Sequence, residues 1–369
     1  MEGELVDRVN GKKYSLEYKE FLSPDGNLLD LDWDGMFDID KLHSRKYNLW
    51  RYKEALPIID DASIVSFQEG FTPMIQIDFG GKKVWVKQEQ LFSTGSYKDR
   101  GATVLISHAK YLGVKHLVQD SSGNAGCAIA AYAGNAQIEC NIYLQDNTSA
   151  GKVAQMRMYG ANIHSVHGSR EDAAKAALIA AKSSFYASHS YNPFFFHGTK
   201  TFAYEVCEQL NWNAPETIIL PAGNGTLIIG CYIGFMDLLK SGIIHRMPKI
   251  IAVQAANCAP LAQAFFGSPI MHFNSTLAEG IAIAEPIRGS QIMEMVKSSG
   301  GTFVTVSEHE IKQAWMMCGR KGFYIEPTSA ATIAGMMSYI ANYDTNDIVT
   351  LFSGHGLKST EKAIALFKD

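Results

Sequence analysis

No run of lysine or arginine occurs in these 369 residues, and the formal net charge is -4. Nucleic acids are recognised by clustered basic faces, so this balance argues against a nucleic-acid partner and for a small-molecule substrate. Long hydrophobic runs are missing as well. The most apolar stretches, Thr217 to Leu220 and Leu227 to Leu239, are broken by Gly, Pro or Asp well short of a membrane span. The opening Met1-Glu2-Gly3-Glu4 is acidic and has no apolar run behind it, which predicts a soluble, cytoplasmic protein with no secretory leader.

Paired metal or redox ligands are absent too. Cys127, Cys140, Cys207, Cys231, Cys258 and Cys318 are widely scattered, and none stands at the short spacing of a metal knuckle or a redox pair. They are expected to be buried small hydrophobes. The histidines include no His-Glu-x-x-His pattern, and His164 with His167 is too small a group for a metal centre, so none is expected. Potassium or sodium is left open. No fixed-period repeat or low-complexity segment is visible, so neither a solenoid nor a disordered tail is suggested.

What is present is alternation. From Lys83 onward, short apolar runs (Val84 to Lys87, His116 to Gln119, Asn141 to Leu144, Asn162 to Val166, Thr217 to Leu220, Ile250 to Gln254, Phe303 to Val306, Ile348 to Phe352) alternate with segments carrying apolar residues at helical spacing. Those segments are Asp99 to Tyr111, Ala125 to Ala133, Gly151 to Tyr159, Ser169 to Ser183, Thr199 to Leu210, Thr226 to Leu239, Glu308 to Lys321 and Ser329 to Ala341. This order predicts an α/β fold of parallel sheets wrapped by helices. So many strands exceed one mononucleotide unit, and two doubly wound domains with a cleft between them are expected. Before them, residues 1 to about 58 read as an irregular extension, with turn signals at Ser23-Pro24-Asp25-Gly26 and packing aromatics at Leu49-Trp50-Arg51-Tyr52.

Four short stretches carry chemistry. In Ser93-Thr94-Gly95-Ser96-Tyr97-Lys98-Asp99-Arg100-Gly101 one lysine stands between a turn-prone run and a helix start, where a partly desolvated amine can form a Schiff base with an aldehyde. Ser121-Ser122-Gly123-Asn124-Ala125-Gly126 follows a strand and opens a helix, so its N–H groups can point at a carboxylate. Pro221-Ala222-Gly223-Asn224-Gly225-Thr226 repeats that arrangement, with two glycines that admit a phosphate, and it matches neither the P-loop nor the dinucleotide fingerprint. Ser353-Gly354-His355-Gly356 ends the last strong strand, where a hydroxyl can meet a ring nitrogen, and His355 is not assigned to catalysis. Singly, each has a bland alternative as a surface lysine or a tight turn. Together they supply an amine, a phosphate cup, an anion loop and a hydroxyl, all of which pyridoxal 5'-phosphate uses.

These stretches, together with Glu326-Pro327-Thr328-Ser329-Ala330-Ala331, resemble the ordered motifs of fold-type II pyridoxal-phosphate enzymes, most closely the threonine synthases. Leu31-Asp32-Trp33-Asp34-Gly35, Asn48 to Tyr52 and Glu69-Gly70-Phe71-Thr72-Pro73 resemble the lead-in of the same enzymes. The resemblance implies that Lys98 is the Schiff-base lysine and proton carrier, and that Asn124 contacts the cofactor 3'-oxygen. Ser121, Ser122, Gly123 and Ala125 would hold the substrate carboxylate, Gly223, Asn224, Gly225 and Thr226 the cofactor phosphate, and Ser353 the pyridine nitrogen. A neutral hydroxyl in that last place does not insist on a protonated ring. The resemblance also implies a homodimer, and a division into an extension (1–58), a larger cofactor-binding domain (59–97 with 198–369) and a smaller mobile domain (98–197) that closes for catalysis.

Three departures bear on the reaction. Gly11-Lys12-Lys13-Tyr14 to Asp25-Gly26-Asn27-Leu28 looks like the family's cysteine-rich ribbon without its cysteines. The arginine that threonine synthases place after an Asn-Pro pair, to hold the substrate phosphate, is replaced by Phe194, Phe195 and Phe196 after Asn192-Pro193, leaving Ser190, with His189 where an asparagine is usual. Ala278-Glu279-Gly280 and Ser121-Ser122-Gly123-Asn124 look more like dehydratases, and Lys152 and Arg170 are lone basic residues of the kind usually solvated. The missing guanidinium points to a substrate without a phosphate, whereas the resemblance over the whole chain implies threonine synthesis from O-phosphohomoserine, which is the expected reaction. Its rivals are β-elimination of serine or threonine and a non-catalytic cofactor-binding relative.

Overall fold

A computed structural model describes residues 3–35, 37–146, 148–168, 170–269 and 273–367. The chain forms two compact units, one from Met1–Phe71 with Lys98–Thr201, the other from Thr72–Tyr97 with Phe202–Asp369. In chain order the strands among the described residues are β1 (Gly3–Asp7), β2 (Lys13–Ser15), β3 (Leu29–Trp33), β4 (Met74–Phe79), β5 (Lys82–Lys87), β6 (His116–Gln119), β7 (Glu139–Gln145), β8 (Asn162–Val166), β9 (Phe185–Tyr186), β10 (Thr217–Pro221), β11 (Lys249–Ala255), β12 (Thr302–Val306) and β13 (Ile348–Leu351). No helix among the described residues is long and apolar enough to cross a membrane.

The first unit holds a parallel sheet ordered β8-β7-β6-β9. Its central helix, Lys98–Tyr111, is buried continuously from Asp99 to Ala109. A helix enclosed on every side needs small or apolar residues all round, and Gly101-Ala102-Thr103-Val104-Leu105-Ile106 provides them. Residues 3–35 differ from the expected irregular extension. They form an antiparallel sheet, β2-β1-β3. Alternation in β3 sends Leu29, Leu31 and Trp33 inward, where they join the same apolar core as Val104 and Leu105. Each such side chain contributes about 1.5–3 kcal/mol on burial. In the cysteine-free ribbon, Lys12 Nζ meets Asp25 at 2.8 Å. Trp50 donates its indole N–H to Glu69 at 3.0 Å, and the Arg51 guanidinium lies 4.4 Å from the Tyr47 ring centroid. These aromatics pack within their own unit.

The second unit is built on a six-stranded sheet ordered β12-β11-β10-β13-β5-β4, parallel except for the β4–β5 hairpin. Strands β10 and β13 are buried along their whole length, as expected of strands covered by helices on both faces. Lys87 at the end of β5 is also fully buried. Its amino group meets Glu205 at 2.9 Å, the Thr72 carbonyl at 2.8 Å and Gln209 Oε1 at 3.0 Å, which accounts for three donors.

The strands and helices read from periodicity are present within a few residues, with the position of Ser169 outside the described residues. Strand β4 and the helices Pro193–Thr199, Pro260–Phe265, Gly289–Ser298 and Thr360–Ala365 are additional. All six cysteines are buried and free.

Candidate active site

Tyr97 closes one segment of the second unit, and Lys98 opens the next segment of the first. Lys98 is the first residue of the helix Lys98–Tyr111 and is partly buried, while Asp99 and Arg100 behind it are fully buried. The Arg100 guanidinium donates to Thr201 Oγ1 at 3.0 Å, which ties the helix start to the segment after Phe196. The Lys98 amine lies 5.7 Å from the centroid of Phe195, a buried ring that stands edge-on to His189. One aromatic wall therefore fixes the surroundings of the amine.

Two further stretches of the first unit meet at the carboxyl ends of β6 and β9. Gln119, the last residue of β6, donates its amide to the Ala187 carbonyl at 2.7 Å and accepts the Asp120 N–H at 2.8 Å. It thereby links the loop entering Ser121–Ala125 to the loop carrying Ser188, His189 and Ser190. Ser190 is buried and within 3.3 Å of the Ser188 hydroxyl. Asn124 is the first residue of the helix Asn124–Asn135, and Gly123 stands at its N-cap without a side-chain cap. By contrast, Asn192 caps the helix Pro193–Thr199 through its own side chain, and Ser307 caps Glu308–Arg320 in a capping box. The Gly123 end is left open in the way an anion site requires.

Phe194, Phe195 and Phe196 lie in the helix Pro193–Thr199 and are essentially inaccessible, at 0–1% exposure. Phe194 stacks on His108 with centroids 3.5 Å apart. Placing a guanidinium at any of these three positions would bury a charge in the core. Lys152, expected as a solvated side chain, is 6% exposed, so that expectation is corrected, and the side chain of Arg170 lies outside the described residues.

In the second unit, β10 runs into Ala222-Gly223-Asn224-Gly225 and then the helix Thr226–Lys240. Gly225 occupies the N-cap at φ +68°, again with no side-chain cap, and a Cβ there would fall 2.2 Å from Ile292 Cδ1. Only glycine fits this turn without strain. Gly223 packs against Gly280 and Ile281 of the neighbouring turn Glu279–Ile281. Thr226 is buried and its hydroxyl lies 3.1 Å from the Tyr97 phenol, a partner that no motif in the sequence marks. Burial pushes the Tyr97 phenol up, so it stays protonated and able to donate.

At the end of β13, Ser353 is fully buried. Its hydroxyl donates to Glu326 Oε1 at 2.9 Å and lies 3.0 Å from Ser329 Oγ. The Ser353 carbonyl accepts the Tyr97 N–H at 3.1 Å, so Ser353 and the Thr226 hydroxyl are both tied to the residue preceding Lys98. Glu326 and Ser329 sit in a motif quoted above with no role attached to them, and a buried carboxylate within hydrogen-bond reach of the site could not be read from spacing.

Residues 65–354 match the family described as pyridoxal-phosphate dependent enzyme. The chain belongs to that family. Its cofactor is accordingly pyridoxal 5'-phosphate. The threonine synthase of Methanocaldococcus jannaschii is 35% identical, covering 96% of this chain and 92% of its own. That of Mycobacterium tuberculosis is 33% identical, covering 85% and 89%. Among solved structures, maize serine racemase is similar with a TM-score of 0.68 at 22% identity, covering 80% of this chain and 92% of that one. Threonine deaminase isoform 2 of Solanum lycopersicum is similar with a TM-score of 0.70 at 21% identity, covering 90% of each chain. These two likenesses speak to the fold, which is the α/β fold-type II architecture.

The residues of this family member fit the cofactor on structural grounds. A 15-residue helix preceded by an uncapped, left-handed glycine offers orphan N–H groups to a phosphate. A buried hydroxyl stands at a strand end of the same unit, and the only lysine of the Ser93–Gly101 stretch stands at a helix start.

Proposed function

We propose that this chain is a threonine synthase, a lyase that converts O-phosphohomoserine and water to threonine and phosphate. The observation that carries the proposal is likeness to threonine synthases over 96% of the chain at 35% identity. Site geometry supports it. Gly223, Asn224, Gly225 and Thr226 would hold the cofactor phosphate on the start of the helix Thr226–Lys240, Asn124 would contact the 3'-oxygen and Ser353 the ring nitrogen. Bound there, pyridoxal phosphate supplies the electron sink for a carbanion beside the substrate amine.

Lys98 would hold the cofactor aldehyde through Nζ and would carry protons at the substrate Cα and Cβ. Phe195 limits water around that amine, and the helix start behind Lys98 fixes its direction. Ser121, Ser122, Gly123 and Ala125 orient the substrate carboxylate on the uncapped start of the helix Asn124–Asn135, and Ser190 contributes a hydroxyl from the adjoining loop. A homodimer in the cytoplasm belongs to the same proposal, and light scattering of the purified protein tests the dimer.

One observation favours a second reaction. The helix after Asn192-Pro193 presents three core phenylalanines and no guanidinium, so the strongest bidentate phosphate contact is missing from that position. Elimination of water and then ammonia from serine or threonine needs no such contact. Incubation of the cofactor-loaded protein with O-phosphohomoserine separates the two: threonine with an equal amount of phosphate supports the first. Keto acid and ammonia from serine or threonine, with no phosphate release from O-phosphohomoserine, replaces it with the second. A protein without visible absorption dependent on Lys98 would be an empty scaffold and not a loaded enzyme.

A further inference from the structure

Residues 94–97 lie against the strand end that carries Ser353. Ser96 pairs with Gly354 in an antiparallel bridge, the His355 N–H donates to the Gly95 carbonyl at 2.9 Å, and the Tyr97 N–H donates to the Ser353 carbonyl at 3.1 Å. Lys358 Nζ donates to the Thr94 carbonyl at 2.6 Å. These contacts fix the main chain of the segment, and with it the place from which the Tyr97 ring extends. The ring is buried, and its phenol lies 3.1 Å from Thr226 Oγ1. Thr226 is the first residue of the helix Thr226–Lys240, and Gly225 before it brings no side chain to the cap. The Thr226 hydroxyl therefore belongs to the same first turn as the orphan N–H groups of that helix.

Between two hydroxyls either oxygen can donate, but an ionised phosphate only accepts. When Thr226 gives its single proton to a phosphate oxygen, the contact with Tyr97 runs one way, from the phenol to Thr226. Burial keeps the phenol protonated, so it has a proton to give. A hydroxyl that accepts one hydrogen bond donates a stronger one, and the effect is largest where water is excluded, as it is around these two buried residues. A phenylalanine at position 97 would fill the same space and supply none of this.

We propose that Tyr97 is a positioning residue for the cofactor phosphate, its phenol holding the Thr226 hydroxyl so that the Thr226 proton is directed at the phosphate. The proposal rests on the assignment of Thr226 to that phosphate made above. It gives the residue before Lys98 a part in cofactor affinity that is separate from the lysine itself. A ring packed there for its bulk alone would leave that affinity unchanged when its oxygen is removed.

The test is equilibrium dialysis of the full chain against pyridoxamine 5'-phosphate, which carries the phosphate but no aldehyde and so cannot attach to Lys98. Tyr97→Phe should weaken its binding about two- to tenfold, the worth of one neutral hydrogen bond. In Thr226→Val, which has no hydroxyl, binding should already be weaker, and adding Tyr97→Phe should lower it no further. Unchanged binding in Tyr97→Phe overturns the proposal, and so does an equal loss from Tyr97→Phe on both backgrounds, which would mark a ring needed for packing. Binding unmoved by Thr226→Val overturns the phosphate assignment and the proposal with it. The function proposed above fails on a different signal, the absence of Lys98-dependent visible absorption with pyridoxal 5'-phosphate, so the two failures are read apart.

Discussion

Replacing Gly225 by alanine tests the phosphate loop most directly. Gly225 stands at φ +68°, where an L-residue costs about 1–2 kcal/mol, and the added Cβ would lie 2.2 Å from Ile292 Cδ1 and 2.4 Å from Cγ1. Overpacking of this kind costs about 1–3 kcal/mol, which brings the total to roughly 2–5 kcal/mol. Urea unfolding of Gly225→Ala without cofactor reads that sum as a lowered midpoint. The steric part can be separated. Ile292→Ala alone costs about 2–5 kcal/mol as a cavity, but it removes the clashing atoms. The double variant should therefore be more stable than additivity predicts by about 1–3 kcal/mol, and the remainder is the backbone term. A loop shifted to relieve the clash also loses a hydrogen bond to a charged phosphate, worth about 1.5–3 kcal/mol, so cofactor affinity should fall about ten- to hundredfold. Strict additivity in the cycle, or an unchanged cofactor affinity in Gly225→Ala, would refute the reasoning.

Other expectations follow from buried charge and buried thiols. Lys87→Met should cost about 3–5 kcal/mol because it takes one ion-pair partner from the fully buried Glu205 carboxylate, and Lys87→Met with Glu205→Leu should recover part of it in the same unfolding assay. His108 is buried against Phe194, and burial lowers its pKa to about 3 from an ordinary 6.5. Above pH 6.5 neither state is charged; below it only the unfolded chain takes up the proton. Stability should thus fall by about 1.4 kcal/mol per pH unit for this histidine as pH drops from about 6.5 toward 3. Buried His197 is lowered in the same direction, so His108→Phe should make the acid limb shallower without removing it. A thiol reagent should find no fast-reacting cysteine in the native protein and six after denaturation, since burial pushes the Cys140 and Cys318 thiols up to about 12.

Periodicity located the elements of both parallel sheets because their strands are short apolar runs and their helices carry wide apolar faces. The N-terminal sheet escaped it for a physical reason. Gly3–Asp7 and Lys13–Ser15 are short and half polar, and only Leu29-Asp30-Leu31-Asp32-Trp33 shows the alternation that places it against the core. Strand β4 carried a usable signal, Met74 to Phe79 ahead of Gly80-Gly81, which is the pattern of a hairpin. At the site, motif order pointed to Lys98, the two uncapped glycine loops and Ser353. Nothing local in the sequence tells that Tyr97 bonds Thr226 or that Glu326 meets the Ser353 hydroxyl, because those partners stand 129 and 27 positions away and meet only through the fold. The phenylalanine run shows the same limit. Its departure from the expected arginine was visible in sequence, and its complete burial was not.

The sheet of the second unit sets a timetable for synthesis. Strand β13 lies between β10 and β5, yet β5 leaves the ribosome about 260 residues earlier. At about 5–20 residues per second, the β4–β5 hairpin waits on the order of a quarter of a minute to a minute for its neighbour. Throughout that interval the β5 edge, with Val84 and Val86 destined for full burial, has no partner strand. A chain stopped before Ile348 would leave it so permanently, which makes β13 the strand that joins β12-β11-β10 and β5-β4 into one sheet.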